Sequence, residues 1–253
     1  MIESAQNVHI KEVTRLLTKN SVRRESGVFL VEGAQECSRA LQFGYDALRF
    51  FICETIFKGE IPQNAEIQTV STKIYEKIAC RGTTEGIIGT FKIKNADLQN
   101  FTPQNNSKII ILEGVEKPGN LGAILRTCEA FGIDALIVTD LRTDFYNPNV
   151  IRSSVGCLFG MNTFAATNEQ LLAFLQKNNF RIFTTIMNKN AKNIQNLDFQ
   201  GNVALVFGAE HSGLSDFWRE CGANFLIPMR GTIDSLNLSN AVAISCYELV
   251  RQN

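Results

Sequence analysis

A series of short apolar runs in the second half of this chain constrains its fold most: Ile109–Leu112, Ala135–Val138 and Val203–Phe207, separated by helical patterning. A run that is apolar at successive positions has no polar face to offer water, so each predicts a strand covered on both sides. Further strands are expected at Asn162–Phe164, Arg181–Thr185 and Phe225–Ile227, with helices at about Leu121–Phe131, Pro148–Val155, Asn168–Lys177 and Leu238–Val250. Strand–helix alternation of this kind predicts an α/β fold built on a parallel sheet. Within it, Asn202–Val242 reads as strand, Gly-flanked acidic turn, helix, short strand, and a Ser/Asn-rich loop into the last helix. Two polar loops then sit at strand C-termini, where open α/β sheets bind ligands.

Upstream the patterning is different. Val28–Val31, Leu48–Cys53, Glu66–Val70 and Ile87–Phe91 read as strands, with helices over about Ala34–Gln42 and, capped by Ser71, Thr72–Ala79. This makes a small α/β unit over residues 1–93, a linker within 94–107 of high Asn/Gln/Pro content, and a second unit over 108–253. Residues 8–24 carry Lys11, Arg15, Lys19, Arg23 and Arg24 against the single Glu12. Lys11, Arg15 and Lys19 repeat at i, i+4 on one helix face, which is either an ordinary solvated face or a stripe that contacts phosphates.

Composition narrows the partners only a little. Lys+Arg 25 balances Asp+Glu 25, so no global field announces nucleic acid or membrane. No apolar run reaches the roughly 18 residues of a membrane span, and the N-terminus lacks a signal-peptide pattern, so a cytoplasmic location is expected. The seven cysteines are scattered and odd in number, which suits reduced, buried thiols. With two histidines and no C-x-x-C pair, no metal site is expected.

Three Gly-rich loops follow strands in the second unit, and neither common nucleotide motif fits them. The loop from Glu113 to Gly122 lacks G-x-G-x-x-G. Gly208 and Gly213 have P-loop spacing, but Leu214 stands where the phosphate-binding lysine belongs. Asn120, Glu210, Ser235, Asn237 and Ser239 each suit helix-capping or turn work, and a lone helical Arg126 suits a surface ion pair.

Taken in order, however, three stretches resemble one family. These are Asn120-Leu121-Gly122-Ala123-Ile124-Leu125-Arg126-Thr127, then Val206 through Leu214 (VFGAEHSGL), then Ile227-Pro228-Met229 through Asp234-Ser235-Leu236-Asn237-Leu238-Ser239-Asn240-Ala241. Together they resemble the SpoU/TrmH-type RNA 2′-O-ribose methyltransferases of the SPOUT superfamily. The first unit, with Phe29-Leu30-Val31-Glu32-Gly33, is similar to the L30e-like substrate-binding domain that many members carry.

The resemblance implies a parallel α/β sheet whose C-terminal segment forms a trefoil knot, and S-adenosyl-L-methionine as cofactor. Its contacts carry over to Gly208, Ile227 and Leu236, with Thr184 or Thr185 as a further candidate. Apolar side chains and glycine-permitted backbone approach are what an adenine slot needs, and a cationic methyl donor needs no phosphate cradle. The resemblance makes Arg126 the catalytic arginine, with Asn120, Glu210, Ser235 and Asn237 around it. A guanidinium is a poor base at neutral pH, so positioning the target phosphate and stabilising oxyanion charge suit Arg126 better. RNA is the expected substrate, 23S ribosomal RNA ahead of transfer RNA, with Lys11, Arg15, Lys19, Arg23 and Arg24 contacting it. A homodimer through the C-terminal domain is also implied. The competing readings are a non-catalytic RNA- or ribosome-binding module, and a methyltransferase acting on a base nitrogen or a small molecule.

Overall fold

The computed structural model describes residues 1–62, 65–80, 85–186 and 189–252. The chain divides into two compact units, one of Met1–Asn95 with Asp144–Gly160, the other of Ala96–Thr143 with Met161–Asn253. Residues 144–160 therefore belong with the first unit, although they fall inside the sequence of the second. Tyr146 shows why: its ring centroid lies 4.4 Å from that of Phe29, and its hydroxyl donates to the Lys94 carbonyl at 3.1 Å.

In the first unit the elements run α1 (Val8–Thr18), α2 (Asn20–Ser26), β1 (Val28–Glu32), α3 (Ala34–Gln42) and β2 (Ala47–Ile52). They continue with β3 (Glu66–Thr69), α4 (Thr72–Ile78) and β4 (Ile87–Lys92). The sheet order is β1-β4-β2-β3, with β4 antiparallel to both neighbours and β2 parallel to β3. Asn7 starts α1 by accepting the His9 N–H at 2.9 Å, and Ser71 starts α4 by accepting that of Ile74 at 3.4 Å. Ile10, Val13 and Leu16 form the buried stripe of α1 and pack with Leu30, Phe51, Ile74 and Ile88.

The expected basic stripe is cut in two. Lys19 is extended, at φ −118° and ψ 112°, so it leaves the face that Lys11 and Arg15 share. Arg23 requires a larger correction: it is 2% exposed, its Nε donates to Asp144 Oδ2 at 2.7 Å, and its Nη1 donates to the Leu16 carbonyl at 2.6 Å. A buried guanidinium with both partners supplied by the protein is an internal strut, not a phosphate contact. Lys11, Arg15, Lys19 and Arg24 are exposed.

In chain order the next elements are β5 (Lys108–Glu113), α5 (Pro118–Ala130), β6 (Ala135–Thr139), α6 (Pro148–Ser153), β7 (Thr163–Ala166), α7 (Asn168–Lys177) and β8 (Arg181–Thr184). The short β9 (Lys192–Asn193), β10 (Val203–Phe207), β11 (Ala223–Leu226) and α8 (Leu238–Arg251) complete the chain. Seven strands form one sheet in the order β7-β6-β5-β10-β8-β11-β9, and every recorded pairing in it is parallel. The apolar runs behave as expected. Ile109, Ile111, Ala135, Ile137, Ala204 and Val206 line one face with Leu171, Leu175 and Trp218, while the alternate Ile110, Leu112, Leu136, Val138, Leu205 and Phe207 are also at most 1% exposed. Where a full helix was expected after Gly213, the chain makes one 3-10 turn, Asp216–Trp218, and drops Trp218 into that core. Among the described residues no helix is long and apolar enough to cross a membrane.

Candidate active site

The site begins with one glycine. A Cβ at Gly208 would lie 2.1 Å from the Gly213 carbonyl carbon and 2.2 Å from the Leu214 nitrogen. The turn after β10 thus folds back onto its own start, closed by the Gly213 N–H donating to the Ala209 carbonyl at 3.0 Å. Gly213 itself has φ +68°, a conformation open to glycine at little cost. The result is a tight loop that presents Glu210 at the C-terminal edge of the sheet.

Glu210 meets the first stretch. Asn120, on the first turn of α5, donates its Nδ2 to Glu210 Oε1, and its Oδ1 accepts from Asn237 Nδ2 at 3.3 Å. Asn237 is also the N-cap of α8, accepting from the Ser239 N–H at 2.9 Å and the Ser239 hydroxyl at 2.7 Å. One side chain from each of the three stretches is therefore joined in a single chain of hydrogen bonds, Glu210–Asn120–Asn237. Amide and carboxylate groups paired in this way lose little to desolvation and gain fixed orientation.

Arg126 and Ser235 stand apart from that chain. Six residues along α5 place Arg126 about 9 Å further down the axis and about a third of a turn round from Asn120. Its side chain is exposed and makes no hydrogen bond or ion pair among the described residues. Ser235 is exposed as well. An unpaired guanidinium at the surface near such a cluster is free to meet an anion.

Of the residues expected to hold a cofactor, Gly208, Ile227 and Leu236 are half-buried at the ends of β10 and β11 and in the loop before α8. Thr184 needs correction. Fully buried, it donates its hydroxyl to Asn224 Oδ1 at 2.6 Å, tying β8 to β11. Thr185 is half-buried, and both its N–H and its hydroxyl donate to the Val206 carbonyl, at 3.0 and 3.1 Å. Both hydroxyls hold strands together.

Glu113 is a buried carboxylate that sequence reasoning does not single out. It closes the apolar β5, is 7% exposed, and accepts from Asn168 Nδ2, the Ser215 N–H and the Ser215 hydroxyl, each at 2.7 Å. The available signal was a carboxylate ending a strand otherwise free of acidic residues. A cavity of about 180 Å³ opens beside it, lined by Gly114, Arg142, Ser212 and Ser215 among others; Gly208, Ile227 and Leu236 do not line it. Arg142 is held there by Glu116 and by Asp140 at 2.9 Å, which keeps its guanidinium raised against deprotonation through those two carboxylates.

The sequence model of the SpoU rRNA Methylase family matches residues 107–247, and that of an MRM3-like substrate binding domain matches residues 7–89. The 23S rRNA (guanosine-2′-O-)-methyltransferase RlmB of Acinetobacter baylyi is 32% identical over 199 residues, 76% of this chain and 80% of that protein. A crystal structure of an RNA 2′-O ribose methyltransferase superposes with a TM-score of 0.87 at 34% identity, covering 99% of this chain and 98% of the other. An AdoMet-bound rRNA methyltransferase from Sinorhizobium meliloti superposes with a TM-score of 0.89 at 26% identity, covering 99% and 97%.

Proposed function

Since this chain belongs to the SpoU rRNA methylase family, we propose that it methylates a ribose 2′-hydroxyl of ribosomal RNA, with a 23S nucleotide as the target. It is an RNA methyltransferase that uses S-adenosylmethionine. The observation that carries the reading is the hydrogen-bonded chain Glu210–Asn120–Asn237, which joins three sequence stretches at the C-terminal edge of the sheet.

Ile227 and Leu236 fit the cofactor because they are apolar and half-buried, Ile227 just past the end of β11 and Leu236 in the loop before α8. When bound, S-adenosylmethionine supplies an electrophilic methyl group on a sulfonium. The chain's own residues hold the other reactant. Arg126 pairs with an RNA phosphate and stabilises negative charge growing on the 2′-oxygen. Asn120, Glu210 and Asn237 keep the loops in register, and Ser235, exposed beside them in sequence, adds a hydroxyl that hydrogen-bonds the ribose.

Ribosomal RNA as the substrate is supported by the named activity of the Acinetobacter relative and by the match of residues 7–89 to a substrate-binding domain. Exposed Lys11, Arg15, Lys19 and Arg24 supply the phosphate contacts. We further propose a homodimer through α8, where Ile244, Tyr247 and Val250 are 41, 58 and 43% exposed at i, i+3, i+6 spacing. The C-terminal segment before α8 is proposed to be threaded as a trefoil knot. The central experiment is calorimetric titration with S-adenosylmethionine, followed by methyl transfer to total RNA and mapping of 2′-O-methyl sites. New methylation in 23S RNA is expected. Methylation confined to transfer RNA overturns the substrate, and cofactor binding without transfer to any RNA leaves a binding module.

A further inference from the structure

We propose that Glu113 is a positioning residue of the methyl-transfer site, acting through the loop that carries Glu210. The inference rests on the reading of Glu210 as part of that site. A carboxylate that is 7% exposed at the end of an apolar strand is costly to keep charged unless it is fully hydrogen-bonded. Glu113 meets that condition with three donors at 2.7 Å, and their distribution is informative. Asn168, the first residue of α7, supplies one. Ser215 supplies the other two, from its backbone N–H and its hydroxyl, so most of what Glu113 holds is the loop after β10.

Glu210 lies between two fixed points on that loop. On one side, Gly208 is pressed against Gly213 so closely that no side chain fits. On the other, Ser215 is clamped to Glu113 five residues beyond Glu210. Between them the acidic side chain has little choice but to face Asn120, and Asn120 in turn takes Asn237. Release of Ser215 frees the downstream end of the loop, and Glu210 loses the direction that aligns the other two stretches. β5 itself is parallel-paired on both edges, to β10 and β6, so its terminal carboxylate is a rigid anchor.

The substitution that isolates this role is Glu113→Gln, which keeps the shape but puts an amide N–H against one of the three donors. The expected result is a fall of at least tenfold in kcat, with KM for RNA within twofold of wild type. In 15N spectra the Asn120 side-chain amide should shift away from its hydrogen-bonded position, a readout independent of turnover. Asn168→Ala removes the α7 bond and leaves both Ser215 bonds, so it should change kcat and the Asn120 signal less than Glu113→Gln does. The double variant Glu113→Gln/Glu210→Gln should be no slower than Glu210→Gln by itself. If Glu113→Gln folds poorly, Ser215→Ala removes only the hydroxyl bond and should show the same two changes at smaller amplitude. Unchanged kcat and an unshifted Asn120 amide in a folded Glu113→Gln protein overturn the inference, as does a double variant slower than either single one. Failure of the wild type to methylate any RNA would instead sink the methyltransferase reading, while the amide shift would still report whether Glu113 holds the loop.

Discussion

Two loops of the second unit rise from the ends of β10 and β11, the strands on either side of β8, and they are built in opposite ways. The loop after β10 is folded against itself at Gly208 and Gly213, bonded to Glu113 through Ser215, and bonded to Asn120 through Glu210. The loop between β11 and α8 has every residue from Pro228 to Ser235 exposed and meets the rest of the site through Asn237. A group held in place before the reactants arrive costs nothing to orient at the moment of reaction, whereas a free loop must be ordered by what it binds. The first loop is thus tied at several points, whereas the second is solvent-exposed along most of its length.

The largest effect expected lies outside both loops and tests what neither supplies. Arg126→Ala should lower kcat by about 100- to 1000-fold, the range for removing one stabiliser of developing oxyanion charge. Titration with S-adenosylmethionine should give an unchanged Kd, because the proposed cofactor contacts are Gly208, Ile227 and Leu236. A Kd that weakens in step with kcat would place Arg126 in cofactor binding and erase the division between the two halves of the site.

Two glycines test the contrast in construction directly. At Gly208 an added Cβ meets backbone at 2.1 Å, while at Gly231 nothing lies within 4 Å. Gly208→Ala should cost about 1–3 kcal/mol of stability through overpacking and weaken cofactor binding. Gly231→Ala should change stability by no more than about 0.5 kcal/mol. Equal responses in thermal melts would mean that the loop after β10 is not the rigid one.

The same contrast explains what could be read from sequence. Apolar strands such as Val203–Phe207 announced themselves because burial on both faces is written in consecutive residues, and the parallel sheet followed. Asn120, Glu210 and Asn237 were legible as a set because their order along the chain matched a family pattern, although nothing local showed that they would bond one another. The surroundings of Thr184 and Glu113 are not legible in sequence, for a shared reason. Whether a polar side chain at a strand end faces a ligand or a neighbouring strand depends on partners far away in sequence, here Asn224 and Ser215. Residues 144–160 were assigned with their sequence neighbours because the aromatic packing of Tyr146 on Phe29 is a tertiary contact with no local signature. The expected helix after Gly213 is instead a single 3-10 turn that places Trp218 in the core, a tertiary contact with no local signature.

Within the open loop, Leu236→Ala removes a half-buried apolar side chain without touching the Glu210–Asn120–Asn237 chain. Burial of such a group contributes about 1–2 kcal/mol, so the Kd for S-adenosylmethionine should rise roughly tenfold. Melting of the free protein should change little, because Leu236 follows a run of exposed residues from Pro228 to Ser235. A lower melting temperature with unaltered affinity would make Leu236 an ordinary core residue and the loop less open than its exposure indicates.

The smallest effect expected extends the distinction between held and free groups to the basic residues of the first unit. Lys11 and Arg15 are exposed on one face of α1, whereas Arg23 is buried against Asp144 and the Leu16 carbonyl. Each free cation that meets an RNA phosphate releases counterions, so Lys11→Ala and Arg15→Ala should each reduce the slope of log K against log salt by up to about 1. Arg23→Ala should leave that slope alone and lower the melting temperature instead, since it strands the Asp144 carboxylate without its buried partner. Filter-binding at several salt concentrations, set beside thermal melts of the same proteins, separates the two outcomes. A salt slope that falls in Arg23→Ala and not in the α1 variants would show that the buried arginine is released to meet RNA.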